Sequence, residues 1–173
     1  MPLIVFEGLD GAGKSTQLKL LAQMLERHGR GHEYVHFPRF DSPVYGDMIA
    51  RFLRGDLGSM EQVNPYVVAL LFAGDRAEAG PMLRRWLEEG KFVLLDRYVN
   101  SNIAFQCAKL DNPAERNELR EWILDTEFEK CGIPRPDLSL FLDVPFSFTE
   151  KKLTSERVGE DREYLRCARD IHE

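Results

Sequence analysis

The sequence has few cysteines and no long apolar run. Its three cysteines in 173 residues stand apart, with no Cys-x-x-Cys pair. This spacing excludes a disulfide framework and a cysteine-rich zinc site, and it is typical of reduced cytosolic thiols. No apolar run approaches the length of a membrane-spanning helix, and the first predicted strand starts at Leu3, so we expect no signal peptide. We therefore expect a cytoplasmic protein that does not bind a membrane.

An excess of positive charge is also absent. The formal net charge of −6 argues against a nucleic-acid-binding surface, although it allows a local basic cleft. A hydrophobic content of 43% and a charged content of 30% exclude a disordered chain. The length suits one domain with a substantial core, and neither an internal repeat nor a linker is visible. We predict a single domain over residues 1–173.

A glycine-rich stretch near the start of the chain is the most informative motif. It reads Gly8-Leu9-Asp10-Gly11-Ala12-Gly13-Lys14-Ser15, followed by Thr16. Two glycines separated by four residues, then lysine and a hydroxyl residue, form the phosphate-binding pattern. An apolar run at 3–6 precedes it, and Leu18, Leu21 and Leu25 recur behind it at helical spacing. Strand, loop and helix thus occur in the order that the motif requires.

Each residue type in this loop suits phosphate chemistry. Glycines let successive backbone N–H groups form a concave nest around phosphate oxygens, and the following helix adds its positive end. Lys14 is placed to bridge the outer phosphates, and Ser15 to ligate Mg²⁺. The alternative is a glycine-rich turn that binds nothing. With Lys-Ser in place and both flanking elements correct, the motif favours nucleotide binding.

Apolar runs alternate with helical stretches along the chain. Strands are predicted at 3–6, 34–37, 92–96 and 138–143. Helices are predicted after the glycine loop, around Ile49, from Asn64-Pro65 to Gly90 with a kink or break at Gly80-Pro81, from about Asn100, and over 113–129. Alternation with nearly continuous apolar strands predicts an α/β fold with a parallel sheet covered on both faces. Residues 150–173 are polar and helix-prone, which leaves the sheet at four strands. We therefore expect a fifth strand and a closing helix beyond residue 173.

Charged residues follow two of the predicted strands. In an open α/β sheet, ligands bind beyond the carboxyl ends of the strands. Asp96 ends the third strand, where P-loop proteins place a carboxylate near Mg²⁺, and Arg97 follows it. Arg39 follows the second strand, and two guanidinium groups suit the binding of a second phosphate. The alternative is surface charge, since Asp-Arg occurs at 75–76, 96–97 and 161–162.

Four segments together resemble the thymidylate kinases, P-loop enzymes that phosphorylate dTMP with ATP. The segments are Phe6–Gln17, Phe37-Pro38-Arg39-Phe40, Leu70-Leu71-Phe72-Ala73-Gly74-Asp75-Arg76 and Asp96-Arg97-Tyr98-Val99-Asn100-Ser101. The P-loop is shared by many families, but its combination with the other three is specific to this one. The resemblance implies a three-layer α/β/α P-loop fold, ATP- and Mg²⁺-dependent formation of dTDP, and a homodimer.

The resemblance also implies roles for individual residues. Asp10 would help to hold the acceptor sugar and the metal environment, Phe72 would stack on thymine, and Arg76 would donate to a thymine carbonyl. The residues that it places at the acceptor site are Asp10, Pro38, Arg39, Phe40, Phe72, Arg76, Arg97, Tyr98, Ser101, Asn102, Phe105 and Gln106. Two alternatives stay open: Phe72 packs in the core, or Asn102 and Gln106 solvate a surface helix.

The resemblance also indicates which part of the chain supplies the catalytic cation. Some thymidylate kinases have arginine where this sequence has Gly11, and others supply the cation from a lid; the sequence resembles the second group. The predicted lid spans about 150–169, with Arg157 and Arg162 as candidates beside Lys14, Asp10 and Arg97. The alternative for this mixed-charge helix is a solvated face.

Three other functions remain open at this stage. Another nucleoside or nucleoside monophosphate kinase would share the same glycine loop. A GTPase switch would need an Asn-Lys-x-Asp stretch, which the sequence does not contain. A non-catalytic nucleotide-binding subunit would have no need of two arginines at a second phosphate site.

Overall fold

The computed structural model describes residues 1–59, 62–145, 147 and 149. The strands are β1 (Leu3–Gly8), β2 (His32–His36), β3 (Phe92–Asp96) and β4 (Leu138–Leu142). They form a parallel sheet in the order β2-β3-β1-β4. The helices are α1 (Lys14–Arg27), α2 (Tyr45–Leu53), α3 (Pro65–Glu88), α4 (Val99–Cys107) and α5 (Pro113–Leu124). A π-helical segment, Asp125–Lys130, continues directly from α5.

The sheet is covered on both faces, as the sequence predicted. Successive side chains of a strand point to opposite faces, so β1 contributes to two cores. Leu3 and Val5 belong to one core, which includes Leu83 of α3 and Leu119 of α5. The other core contains Ile4, Phe6, Leu94, Leu18 and Leu25, with Leu21 and Ala22 packed against it. The sheet is therefore the middle layer of three.

Strand β4 differs from the buried strands that the sequence predicted. Leu138 is 47% exposed and Phe141 is 67% exposed, whereas every residue of β1 is buried. The pairing explains the difference, because β4 pairs with β1 on one side and has no second neighbour among the described residues. An apolar strand sequence thus does not by itself indicate burial.

Helix α3 begins and ends close to where the sequence predicted, and it is not interrupted midway. The Asn64 side chain accepts a hydrogen bond from the backbone N–H of Tyr66, and Pro65 occupies the first turn. The helix is continuous through Gly80-Pro81, so the expected break is not present. Ala79 and Leu83 on either side are fully buried, and this packing holds both halves in one helix.

The predicted helix over 113–129 changes its geometry before it ends. The α-helix stops at Leu124, and the chain continues as the π-helical segment. Thr126 and Glu127 are buried, three and four residues after the buried Ile123, so the inward face of α5 continues into this segment. Glu129 is exposed. Among the described residues, no helix has the length and apolarity needed to span a membrane.

Candidate active site

The glycine loop joins the end of β1 to the start of α1. Gly13 precedes α1 with a φ of 93°, a left-handed conformation that glycine adopts without strain. The Lys14 ammonium donates to the carbonyl oxygens of Gly8 at 3.1 Å and Leu9 at 2.9 Å. Burial, and next the charge of Arg97, lower the pKa of Lys14. The loop therefore encloses a buried cation against its own backbone.

Asp96 lies beside the first turn of α1. The Ser15 hydroxyl donates to its Oδ2 at 3.1 Å, and His36 Nδ1 lies 3.5 Å from the same oxygen. Burial alone would raise the pKa of Asp96, but the His36 hydrogen bond and the charge of Lys14 outweigh burial and lower it. Its Oδ1 is buried and has no hydrogen-bond partner among the described residues. A charged carboxylate with an unpaired oxygen beside a hydroxyl fits Mg²⁺.

This metal position is not a complete cage of protein ligands. The described residues contain no cluster of three or more His, Cys, Asp or Glu side chains suited to a metal. Mg²⁺ is commonly held by one or two protein oxygens together with substrate phosphates and water. Ser15 and Asp96 match that arrangement.

Arg97 connects the end of β3 to the glycine loop. Its φ of 67° is unusual for a residue other than glycine, and its backbone N–H donates to the Phe6 carbonyl at 2.9 Å. The guanidinium contacts Asp10 Oδ1 at 2.7 Å and the Ser101 hydroxyl at 3.1 Å. Its Cζ also lies 5.4 Å from the centre of the Phe105 ring. The structure thus brings together four residues that the sequence assigned to the acceptor side.

Glu7 supports this arrangement and was not among the predicted site residues. It is buried, and its Oε1 accepts hydrogen bonds from the backbone N–H groups of Tyr98 at 3.0 Å and Ser101 at 3.2 Å. Its Oε2 accepts from the Ser101 hydroxyl at 2.5 Å. Glu7 therefore caps α4 from a neighbouring strand, since the Tyr98 side chain provides no cap. A carboxylate at the end of an apolar strand was the available signal.

Arg39, which follows β2, is hydrogen-bonded to Asp75 of α3. Its backbone N–H and its Nε each donate to the Asp75 carboxylate at 2.9 Å, and its Nη2 donates to the Asp75 carbonyl at 2.9 Å. Glu78 lies 3.6 Å from the same guanidinium. Burial raises the pKa of Asp75, and the bonds from Arg39 offset only part of that shift. Sequence reasoning treated Asp75-Arg76 as a possible surface pair, yet both side chains are buried.

Arg76 also lies in an ion pair. Its Nε and Nη2 contact the two oxygens of Glu127 at 2.5 and 2.7 Å, and both side chains are buried. Burial would lower the pKa of Arg76, but the charge of Glu127 outweighs burial and raises it. Phe72, one turn earlier on α3, is partly exposed. It is therefore available to a ligand beside α3.

Asn102 and Gln106 are buried rather than solvated. The Asn102 amide nitrogen donates to the Ala69 carbonyl at 3.0 Å and to Glu127 Oε1 at 2.9 Å. Gln106 Nε2 contacts Asn102 Oδ1 at 3.4 Å. Helices α3 and α4 and the π-helical segment therefore meet at one polar cluster: Arg76, Asn102, Gln106 and Glu127. The surface-helix alternative for the two amides is wrong.

The remaining predicted residues lie in different surroundings. Tyr98 is buried against Phe37 and Phe128, and its hydroxyl donates to the Pro134 carbonyl at 3.0 Å. Pro38 is buried after a cis peptide bond, and Phe40 is 47% exposed. The predicted lid at 150–169, with Arg157 and Arg162, lies outside the described residues.

A cavity of about 340 Å³ opens beside the glycine loop. Its walls come from β1, the loop, α4 and β4. The lining residues used here are Glu7, Gly8, Leu9, Arg97, Ser101 and Phe105. It adjoins the Asp10–Arg97 ion pair and so forms part of the same site.

Comparison with known proteins points to one family. A family profile described as thymidylate kinase matches residues 6–173. The thymidylate kinase of Mycobacterium tuberculosis is 37% identical over 142 residues, which cover 82% of this chain and 65% of that protein. The human thymidylate kinase is 33% identical over 150 residues, covering 87% of this chain and 64% of that protein.

A solved structure gives the same result for the fold. The thymidylate kinase of Candida albicans superposes with a TM-score of 0.71 at 27% identity, covering 98% of this chain and 77% of that one. The chain spans about 60–65% of the length of the first curated relatives that it matches, from Mycobacterium tuberculosis and Danio rerio.

Proposed function

Since the chain belongs to the thymidylate kinase family, we propose that it transfers the γ-phosphoryl group of ATP to dTMP. The products are dTDP and ADP. One observation carries the proposal: the Asp10–Arg97 ion pair joins a phosphate-binding loop to a guanidinium at the end of the adjacent strand. A loop for one phosphate with an arginine beside it suits transfer between two phosphates.

On the donor side, the glycine loop binds the ATP phosphates. The contacting residues are Gly8, Leu9, Asp10, Gly11, Ala12, Gly13, Lys14, Ser15 and Thr16. Lys14 exchanges its two carbonyl contacts for the outer phosphates. Ser15 and Asp96 hold Mg²⁺, which when bound neutralises charge on the phosphate oxygens.

On the acceptor side, Arg39 and Arg97 bind the dTMP phosphate. The base stacks on Phe72 and is read by Arg76, Asn102 and Gln106. The sugar and phosphate lie among Asp10, Pro38, Phe40, Tyr98, Ser101 and Phe105. Two sets of bonds support this assignment: Asp75 holds Arg39 directly, and Glu7 holds Tyr98 and Ser101, the second of which contacts the Arg97 guanidinium.

The reaction is an in-line displacement. A phosphate oxygen of dTMP forms a bond to the γ-phosphorus of ATP while the bond from that phosphorus to the bridging oxygen of ADP breaks. Since the attacking phosphate is already ionised near neutral pH, no side chain is needed as a general base. Positioning and the cations Lys14 and Arg97 provide the rate acceleration.

The wider proposal concerns the whole chain. Residues 1–173 act as one P-loop domain whose lid, at about 150–169, supplies Arg157 or Arg162 in place of a P-loop arginine. The protein is a cytoplasmic homodimer; Val67 and Leu70, both about half exposed on α3, are available to the partner copy.

ADP release with a panel of acceptors tests the proposal. We expect dTMP to be used faster than dUMP, CMP, AMP or thymidine, with ATP as donor. Preference for thymidine over dTMP would instead identify a nucleoside kinase. Release of ADP that does not depend on any acceptor would contradict phosphoryl transfer to a second nucleotide.

A further inference from the structure

Glu127 is a buried carboxylate that the reaction itself does not use. It lies in the π-helical segment, and its side chain has no solvent exposure. Its two oxygens contact Arg76 of α3 and Asn102 of α4. A single residue outside the predicted site thus contacts two of the residues assigned to the base.

The partners of Asn102 determine the direction of its amide group. Both Glu127 oxygens accept hydrogen bonds from Arg76, and the carboxylate of such an ion pair only accepts. The Ala69 carbonyl only accepts as well. The Asn102 atom that lies 2.9 Å from Glu127 and 3.0 Å from the Ala69 carbonyl must therefore be the NH₂ nitrogen. The Asn102 oxygen consequently faces Gln106.

The same reasoning continues to Gln106. Its NH₂ group is directed at the Asn102 oxygen, at 3.4 Å. The other end of the Gln106 amide, Oε1, is buried and has no hydrogen-bond partner among the described residues. A buried carbonyl oxygen without a donor is unfavourable, so an N–H group supplied by a ligand at this atom would be stabilising.

We propose that Glu127 is a positioning residue that fixes the hydrogen-bond polarity of the base pocket. Together with the Ala69 carbonyl it holds the Asn102 NH₂ group, which leaves an oxygen acceptor at Gln106, and through its ion pair it keeps the Arg76 donor in place. The pocket therefore matches a pyrimidine with an N–H group next to a carbonyl. This inference rests on the proposed function, in which the base of the acceptor nucleotide lies at this cluster.

The polarity distinguishes between pyrimidines. Thymine and uracil present N3–H and a carbonyl at position 4. Cytosine presents an unprotonated N3 and an amino group, which would set a lone pair against the acceptor and N–H groups against Arg76. A site built for one hydrogen-bond pattern rejects its reverse strongly, because buried polar groups are left unpaired. Glu127 thereby excludes cytosine nucleotides without touching the base.

The test is the variant Glu127→Gln in the full chain. Glutamine keeps the shape of glutamate but replaces one acceptor oxygen with an NH₂ group, which removes a hydrogen bond to Asn102 or to Arg76 and so loosens the side chains that Glu127 holds. Binding of dTMP and dCMP is measured by calorimetry, and kcat and KM are measured by ADP release. We expect the preference for dTMP over dCMP to fall about tenfold or more, with KM for dTMP affected more than kcat.

Glu129→Gln is the matched control. Glu129 lies in the same segment, is 64% exposed and pairs with Arg135, so its loss should leave the preference unchanged. A folded Glu127→Gln protein that keeps its preference within about twofold would show that Glu127 only stabilises the fold. The same result for both variants would also overturn the inference.

A second variant keeps the test decisive if Glu127→Gln does not fold. Gln106→Met removes the unpartnered oxygen while retaining side-chain length, and we expect the same loss of preference. A folded Gln106→Met protein with normal preference would overturn the inference.

Failure of the proposed function gives a different result: a wild-type chain that prefers dTMP in calorimetry but releases no ADP. A wild-type chain that binds dCMP as well as dTMP, or binds neither, overturns the polarity assignment.

Discussion

The two ends of the proposed site, one for phosphate and one for the base, are built in different ways. The phosphate end is largely one contiguous stretch, residues 8–16, whose backbone and lysine lie within a single turn between β1 and α1. The base end is assembled from α3, α4 and the π-helical segment, and its central contact joins Arg76 to Glu127, 51 positions apart. A phosphate is bound by backbone geometry, whereas a base is read by buried side chains that need support.

The difference predicts that the base end contributes more to stability than the phosphate end. Glu127→Ala removes one partner of a fully buried ion pair and leaves Arg76 as an uncompensated charge. We expect a loss of about 3–5 kcal/mol in the free energy of unfolding, measured by urea denaturation. Glu129→Ala, an exposed control, should change it by less than about 0.5 kcal/mol. Equal losses for the two variants would show that the buried Arg76–Glu127 ion pair is not what stabilises the base end.

Substitutions at the phosphate end should instead lower kcat more than they lower stability. Lys14→Ala removes the buried ammonium from the glycine loop, and we expect kcat to fall about 100-fold or more in the ADP-release assay. Lys19→Ala, on the exposed face of α1, serves as the control. Because Lys14 is buried at a cost, its removal should not lower the thermal midpoint greatly. A variant with near-normal kcat would contradict the assignment of the loop.

Glu7 connects the start of the glycine loop with the residues that flank Arg97. It precedes the loop in sequence but supports Tyr98 and Ser101, which flank Arg97 in space. We expect Glu7→Gln to lower kcat/KM for dTMP about tenfold by loosening the Arg97 turn, while the protein stays folded. Glu7→Ala should lower it further. A folded Glu7→Ala protein with wild-type kcat/KM would show that the cap on α4 does not position Arg97.

Asp96 and Asp75 should change the free energy of unfolding with pH in opposite directions. These are the smallest effects that we expect. The pKa of Asp96 is lowered in the folded protein, so its contribution to stability is present above its unfolded pKa of about 3.9 and is lost as pH falls. The pKa of Asp75 is raised, so its contribution weakens as pH rises through that range. Each contribution is measured as the difference in the free energy of unfolding between wild type and Asp96→Asn or Asp75→Asn, by urea denaturation between pH 3 and 7. Parallel pH profiles would contradict the assigned directions.

The sequence predicted most of the fold and the phosphate end for the same reason. Strand alternation, the cap at Asn64 and the glycine spacing are local patterns, and each determines local geometry without reference to distant residues. The exposure of β4 and the continuity of α3 through Pro81 depend on neighbouring elements, which periodicity does not contain. Those two expectations therefore needed the structure.

The base end shows what sequence reasoning misses. Phe72, Arg76, Asn102 and Gln106 were identified from the resemblance, but Glu127 and Asp75 were not. Glu127 lies four residues after the buried Ile123 and so continues the inward face of α5, but nothing near it in sequence indicates its partner Arg76. Asp75 looked like one of three Asp-Arg pairs until its bonds to Arg39 were visible. Supporting residues are defined by their partners, which a single sequence does not give.

Arg97 provides the most direct measurement of the central claim, that one guanidinium beside the glycine loop binds the acceptor phosphate. The quantity is kcat of Arg97→Ala with dTMP at saturating ATP, compared with wild type and with the exposed variant Arg85→Ala. The account predicts a fall of about 100-fold or more for Arg97→Ala alone, in a protein that remains folded. Turnover of Arg97→Ala close to that of wild type would contradict it.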